Sequence, residues 1–134
     1  MRQPRFGEPI RVAFVGQQTY FSQCALSAPA GGLRPRFFDF RAGVGDDAEA
    51  LRDALEAWGA HVVVVFRPEI LPPGTLHDLR AATLGFVTEP LKRAGGVDHP
   101  DLEWRESELA LTDPGNYDRI VAFDPLVAET ADRH

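Results

Sequence analysis

The sequence has few cysteines and few basic residues, and each shortage excludes a class of protein. Cys24 is the single cysteine among 134 residues, so an internal disulfide is impossible and a cysteine-based zinc site is disfavoured. The 14 Lys and Arg residues are outnumbered by 20 Asp and Glu residues, which gives a net charge of −6. Because nucleic-acid binding depends on neutralising phosphates with basic side chains, this charge predicts no nucleic-acid partner.

Long apolar segments are also missing. The sequence contains no run of about 18 apolar residues, so we predict no membrane span. The N-terminal residues from Met1 to Arg5 are charged, and no apolar stretch of signal-peptide length lies before the first predicted strand. Together with the single cysteine, these features favour a cytoplasmic location.

The signatures of cofactor and metal sites are absent as well. The loop after the first predicted strand reads Gly16-Gln17-Gln18-Thr19, which lacks the second and third glycines of a dinucleotide fingerprint. No glycine-lysine-Ser/Thr sequence of a P-loop is present, and the four histidines have no metal-ligand spacing. We therefore predict neither a bound cofactor nor a metal ion.

Residues 62–69, with the sequence VVVVFRPE, give the clearest structural signal. Five consecutive apolar residues, four of them β-branched, indicate a strand covered on both faces, which is typical of a parallel sheet. The run ends in Arg67, Pro68 and Glu69. Because ligands of open α/β sheets bind beyond the carboxyl ends of the strands, this end indicates where a binding site would lie.

Strands and helices alternate along the chain, which predicts an α/β fold. The clearest helix begins at Asp46 and Asp47, carries apolar residues at three- and four-residue spacing, and stops at Gly59. Right-handed crossovers then give a three-layer, Rossmann-like, doubly wound parallel sheet of about five strands with helices on both faces. We predict one domain over residues 1–134, with strands at Ile10–Val15, Arg36–Phe40, Val62–Phe66, Thr83–Thr88 and Arg119–Phe123. Further helices are predicted at Tyr20–Leu26, at Thr75–Arg80, from Pro100 or Asp101 to Leu111, and from Asp124 to the end.

Polar residues follow the predicted strands at their carboxyl ends. On one interpretation they surround a small-molecule crevice. On the other they are loop residues and helix caps, and are polar for that reason alone. The candidate substrate-binding residues are Gly16, Gln17, Gln18, Thr19, Arg67, Glu69, Thr88 and Glu89, and Asp39, Arg41 and Asp124 lie at the same kind of position.

The segment Arg67-Pro68-Glu69 allows two interpretations. Pro68 favours an extended Arg67, which would aim the guanidinium out of the sheet toward a substrate anion or hydroxyl groups. Equally, Arg67 can pair with Glu69 or Glu89 and fix the loops. Glu89 also allows two interpretations: its carboxylate can act as a general base, or it can form a salt bridge. No nucleophile-and-base arrangement is visible, so the catalytic residues stay unassigned.

Four segments of the chain resemble a known family. Residues 14–21 (FVGQQTYF), 65–69 (VFRPE), 85–91 (GFVTEPL) and 117–125 (YDRIVAFDP) are similar to the amino-terminal half of bacterial glycosyltransferases with the two-domain GT-B fold. The nearest relatives are the family 1/family 4-like and spore-maturation-type enzymes. The resemblance covers most of the chain from Ile10 onward, and none of the four segments is a catalytic signature.

The resemblance implies the acceptor-side domain of an enzyme that transfers a sugar from a nucleotide-sugar donor. It places Gly16–Thr19, Arg67–Glu69 and Thr88–Glu89 on the cleft between two domains. The implied partners are a small-molecule acceptor and a carboxyl-terminal nucleotide-sugar-binding domain, which would follow His134. The glutamate-rich donor motif of that second domain has no counterpart here, so we expect the isolated chain to be inactive. GT-B enzymes generally need no metal, which agrees with the scattered histidines.

Two other functions remain open from the sequence. The chain can be a stand-alone, flavodoxin-like module that binds a small molecule. It can also be a protein-interaction domain without catalysis, and an exposed interdomain face would allow it to dimerise. A stand-alone module predicts ligand binding by the isolated chain, whereas an interaction domain predicts a sizeable apolar surface patch.

Overall fold

The computed structural model describes residues 3–27, 31–43, 47–88 and 100–122, which form an α/β fold around a five-stranded sheet. The strands follow the order β2-β1-β3-β4-β5, and every neighbouring pair is parallel. The predicted Rossmann-like, doubly wound parallel sheet is therefore confirmed. In chain order the elements are β1 (Ile10–Gly16), α1 (Gln18–Leu26), β2 (Leu33–Asp39), α2 (Ala48–Trp58), β3 (Val62–Phe66), β4 (Ala82–Val87), α3 (Pro100–Leu109) and β5 (Arg119–Ala122), with short 3₁₀ turns at Pro68–Ile70 and Pro114–Asn116.

One face of the sheet carries the main buried core. Successive side chains of a strand point to opposite faces, and on this face they pack against α2 and the segment after β3. Val63 and Val65 of β3 and Leu55 of α2 have no exposed surface. The valine run therefore supplies the centre of the core, as its composition predicts.

The ends of α2 follow the sequence signals. Asp47 is the N-cap, and its Oδ1 accepts a hydrogen bond from the backbone N–H of Glu49 at 2.8 Å. Gly59 is the C-cap in the left-handed conformation (φ 73°), and its N–H donates to the carbonyl of Leu55. Glycine reaches this conformation without a Cβ penalty, so it fixes the end of the helix.

The opposite face carries a cluster of aromatic rings around Phe66. Phe21 of α1 stacks on Phe66 with ring centroids 4.6 Å apart. The rings of Phe14, Phe37 and Phe86 lie at 5.9, 6.4 and 6.0 Å from Phe66. These rings join α1 to the carboxyl half of the sheet, so the cluster fixes the end where the candidate site lies.

The cover on this second face decreases toward β5. Val62, Val64, Leu84 and Phe86 are half-buried, and Val121 of β5 is 43% exposed. Among the described helices, α1 is the one that packs on this face, and it lies over β1 and β2. The prediction that the valine run is covered on both faces is thus correct for one face and only partly correct for the other.

The connection between β3 and β4 contains no α-helix, contrary to the prediction for Thr75–Arg80. After the 3₁₀ turn Pro68–Ile70, residues 73–78 form successive turns closed by hydrogen bonds between residues three apart. Gly74 and Asp78 have φ values of 77° and 60°, which an α-helix does not allow. The turns bring apolar side chains of this connection into the main core without a helix.

Smaller differences concern the ends of elements. β2 begins at Leu33, earlier than predicted, and α3 ends at Leu109, also earlier than predicted. Trp104 of α3 is 56% exposed. The helix predicted from Asp124 onward lies outside the described residues.

Gly85 of β4 gives the turn after β3 the space to pack on the sheet. A Cβ atom at position 85 would lie 2.9 Å from Cβ of Pro68 and 3.4 Å from Cδ1 of Tyr117. Pro68 is among the fully buried side chains, and its ring cannot rotate away. A side chain at position 85 would therefore displace the turn.

We expect Gly85→Ala to lower the free energy of unfolding by about 1–3 kcal/mol, the usual cost of overpacking a core. Urea denaturation monitored by circular dichroism measures this change. Gly31→Ala is the matched control, because no atom lies within 4 Å of a Cβ at that position. Similar losses at the two positions would contradict the packing role of Gly85.

Candidate functional site

The carboxyl ends of β1 and β2 hold the first group of candidate residues. Gln17 is the N-cap of α1 and makes no side-chain capping bond. The backbone N–H of Gln18 donates to Oδ1 of Asp39 at 2.8 Å. Thr19 Oγ1 accepts from Arg41 Nη2 at 3.4 Å, and Arg41 Nε lies 3.8 Å from Asp39 Oδ2. Arg41 thus contacts both Thr19 and Asp39.

The carboxylate of Asp39 occupies the N-terminus of α1. A helix N-terminus attracts anions because its first N–H groups are free and the helix dipole is positive there. Here Asp39 supplies the anion from the neighbouring strand. This contact disfavours a bound phosphate at α1, in agreement with the missing fingerprint glycines.

Gly16 is buried where β1 meets β3. Its φ is 154°, and a Cβ atom at this position would lie 3.2 Å from Cβ of Phe66. Glycine therefore lets the ring of Phe66 pack between β1 and Phe21. This candidate has a structural role that does not depend on a ligand.

The second group of candidate residues lies at the carboxyl ends of β3 and β4, and its first member, Arg67, has a strained backbone. Its φ of 65° and ψ of 84° differ from the extended conformation that Pro68 predicts. Such a conformation costs about 1–3 kcal/mol and persists only where the surroundings enforce it. Arg67 N–H donates to the carbonyl of Phe86 at 2.9 Å, and Ile70 N–H donates to the carbonyl of Arg67 at 3.1 Å. With Pro68 packed on Gly85, these bonds override the local preference.

Arg67 and Glu69 form an ion pair across this turn. Arg67 Nε lies 2.9 Å from Glu69 Oε1, and the two side chains are 25% and 10% exposed. The pairing interpretation of Arg67 is therefore correct for Glu69. Within the described part of the chain, Nη1 and Nη2 of Arg67 and Oε2 of Glu69 have no hydrogen-bond partner. The pair is held in place while part of its hydrogen-bonding capacity stays unused.

Thr88, which follows β4, has a buried hydroxyl beside this pair. Its Oγ1 has no hydrogen-bond partner within the described ranges. Thr88, Arg67 and Glu69 line a cavity of about 10 Å³, close to the space that one water molecule or one hydroxyl group needs. A buried hydroxyl left unpaired costs about 1–3 kcal/mol, so a polar group from outside would be stabilised here.

Helix α3 closes the cavity from the other side with Arg105 and Glu108. Both side chains are half-buried, and Leu109 beside them is buried. Neither Arg105 nor Glu108 is among the candidates that the sequence indicated. Arg105 lies three residues after Leu102 and four before Leu109, and Glu108 lies three residues after Arg105, so this spacing was the available signal that puts the two side chains on one face of the helix.

Tyr117 supports the turn from the amino-terminal end of β5. Its hydroxyl donates to the carbonyl of Pro68 at 2.7 Å. Burial raises the pKa of the Tyr117 phenol far above its ordinary value of 10.0, and the negative charges of Glu69 and Asp113 add to the rise. The phenol therefore stays protonated, and keeps donating, at alkaline pH.

Asp113 and Asn116 fix the segment that follows the turn. Asp113 Oδ2 accepts from the N–H of Gly74 at 2.8 Å, and Asn116 Oδ1 accepts from the N–H of Leu76 at 2.8 Å. Hydrogen bonds from the N–H of Gly74 and then of Gly115 lower the pKa of Asp113 below its ordinary value of 3.8. The charged form of Asp113 is thus the one that holds this segment.

The remaining candidate, Glu89, lies outside the described residues. In the four described ranges, no group of three or more His, Cys, Asp or Glu side chains could hold a metal ion. No helix in those ranges is both long and apolar enough to cross a membrane. The described site is therefore one of hydrogen-bonding and charged side chains on a parallel sheet.

Comparison of the chain with protein-family models, with curated proteins and with solved structures found no match. The resemblance to GT-B glycosyltransferases therefore stays a prediction from the sequence.

We expect Tyr117→Phe to lower the free energy of unfolding by about 1–2 kcal/mol, because the carbonyl of Pro68 loses its buried donor. Chemical denaturation at neutral pH measures the loss. Tyr20→Phe removes the same hydroxyl from a residue that is 73% exposed, so it should leave stability nearly unchanged. If both variants match the parent protein, the hydrogen bond to Pro68 does not support the turn.

We expect the stabilising effect of Asp113 to disappear in acid. Because the folded-state pKa of Asp113 lies below 3.8, its contribution is present above that value and is lost as the pH falls through the folded-state pKa. The parent protein should therefore be more stable than Asp113→Asn at pH 6, and the difference should shrink below about pH 3.8. Urea midpoints across this range test it, with Asp53→Asn on the exposed side of α2 as the control for removing one negative charge. A difference that does not vary with pH would contradict the proposed role.

Proposed function

We propose that this chain is the acceptor-side domain of a two-domain glycosyltransferase, and that the carboxyl edge of its sheet binds hydroxyl groups of the acceptor. The observation that carries the proposal is the unused hydrogen-bonding capacity of Arg67, Glu69 and Thr88 around one small cavity. The resemblance of four sequence segments to the GT-B family adds the reaction class.

The chemistry of the three side chains suits a hydroxyl group. A hydroxyl donates one hydrogen bond and accepts others, so it needs both kinds of partner. Arg67 can only donate, the Glu69 carboxylate can only accept, and Thr88 can do either. A phosphate would instead be repelled by Glu69, which lies 2.9 Å from the guanidinium. The group therefore fits a polyhydroxylated acceptor better than a nucleotide.

The position of the group fits one wall of a cleft. In open α/β sheets, ligands bind beyond the carboxyl ends of the strands, where the strand order reverses. Here the order reverses between β1 and β3, and Arg67 directly follows β3. In this proposal a second domain supplies the nucleotide-sugar site and the opposite wall.

The proposal is tested by titrating the chain with a panel of polyhydroxylated acceptors and, separately, with nucleotide sugars. Amide NMR spectra should change near Arg67 and Thr88 with an acceptor and not with a nucleotide sugar. Thr88→Val should weaken acceptor binding without destabilising the fold, because Oγ1 has no internal partner to lose.

Thr112→Val is the matched control, because its Oγ1 is also buried and unpartnered but lies outside the cavity. It should bind the acceptor as the parent protein does. We also expect no nucleotide release by the isolated chain in a coupled sugar-transfer assay. Binding of a nucleotide sugar at Arg67, or equal loss of binding in the two threonine variants, would overturn the proposal.

A second function is favoured by the topology. The strand order β2-β1-β3-β4-β5 is also that of flavodoxin-like modules, which bind a flavin or nucleotide at the β1/β3 switch point. The contact between Asp39 and Gln18 weighs against it, since it fills the N-terminus of α1 with a carboxylate. Binding of free flavin mononucleotide by the isolated chain would favour this alternative over the glycosyltransferase proposal.

A further inference from the structure

The two edge strands of the sheet differ in how they are protected against pairing. β2 contains Pro35, flanked by the exposed Arg34 and Arg36. Ile10 N–H bonds to the carbonyl of Gly32, so even-numbered residues of β2 bond to β1 and Pro35 lies on the outward edge. A proline, which lacks the backbone N–H donor, and exposed charges are the usual features that prevent an edge strand from pairing with another strand.

β5 is less protected than β2, because its described residues include no proline and Arg119 is their one charge. Its sequence is Arg-Ile-Val-Ala. Ile120 and Val121 are 39% and 43% exposed. Among the described residues, β4 is the one strand that pairs with β5. An apolar edge of this kind is a template for another strand.

The hydrogen-bonding groups of Ile120 and Ala122 point away from the sheet. Ala82 N–H bonds to the carbonyl of His61, so even-numbered residues of β4 bond to β3 and its odd-numbered residues bond to β5. In a parallel pair, the residue opposite Leu84 bonds to the residues on either side of it. That residue is Arg119, so the N–H and carbonyl groups of Ile120 and Ala122 are directed outward.

We propose that β5 pairs with β5 of a second copy of this chain, antiparallel, about a two-fold axis at Val121. The N–H and carbonyl groups of Ile120 then bond to those of the partner's Ala122, and the converse pair forms by symmetry. Val121 lies directly against the partner's Val121. The two five-stranded sheets become one continuous sheet.

A second copy fits this edge better than any other described element of the chain. The other edge strand is blocked by Pro35 and its flanking arginines, so β5 is the available strand and the contact is isologous. Val121 is in register with Phe86 on the poorly covered face. Pairing therefore joins the half-buried Phe86 and the exposed Val121 to the same residues of the partner in one apolar strip.

The dimer is weak because the paired segment is short. Four residues in each copy bury less surface than a standard interface of about 1,200–2,000 Å². We expect a dissociation constant roughly between micromolar and millimolar. Sedimentation equilibrium of the full chain should then show the mass rising with concentration from 14.8 kDa toward twice that value.

Charge substitutions at Val121 test the pairing directly. Val121→Glu and Val121→Lys each place like charges opposite one another at the two-fold axis, so each variant alone should be monomeric. An equimolar mixture places opposite charges together and should restore the dimer. Circular dichroism and urea midpoints establish that both variants are folded.

Leu33→Glu and Leu33→Lys are the matched controls, because Leu33 is 42% exposed on the protected edge strand. These controls should dimerise as the parent protein does. A parent chain that stays monomeric up to about 1 mM overturns the proposal, since this is its weakest expected affinity. Dimers that survive both Val121 substitutions, or a mixture that stays monomeric, also overturn it.

Discussion

The candidate site depends on the packing of Pro68 against the backbone of β4. This contact is possible because residue 85 is glycine, and Tyr117 holds the other side of the turn through its hydrogen bond to the Pro68 carbonyl. This 3₁₀ turn also fixes the backbone of Arg67 in a conformation that the following residue, Pro68, disfavours. A site held by buried backbone contacts keeps its side-chain geometry without a ligand, and such preorganisation reduces the cost of binding.

The parallel sheet places two groups of polar residues at one edge, and their surroundings give them different roles. In the first group Asp39 accepts a hydrogen bond from the backbone N–H of Gln18, and Thr19 accepts one from Arg41. In the second group Arg67 and Glu69 are paired but incompletely satisfied, and Thr88 has no partner. Equivalent positions in the sequence therefore differ in their surroundings, because Arg67, Glu69 and Thr88 line one cavity of the described residues.

The two faces of the sheet are covered to different extents. The face that carries Val63 and Val65 is buried under α2 and the segment after β3. On the other face α1 covers β1 and β2, and the cover declines toward Val121. Because exposed apolar surface and the less protected strand edge coincide at β5, the interaction proposed there uses both features.

The sequence by itself determined the elements whose signals are local. The run Val62–Phe66 marks a parallel strand, and Asp47 and Gly59 mark the ends of α2, because solvent exclusion and capping act over a few neighbouring residues. Tertiary structure alone decided the strain at Arg67 and the use of Asp39 as a cap. Both result from contacts between residues about 20 positions apart in the sequence. Short-range sequence patterns do not predict which distant backbone groups will form hydrogen bonds in the folded chain.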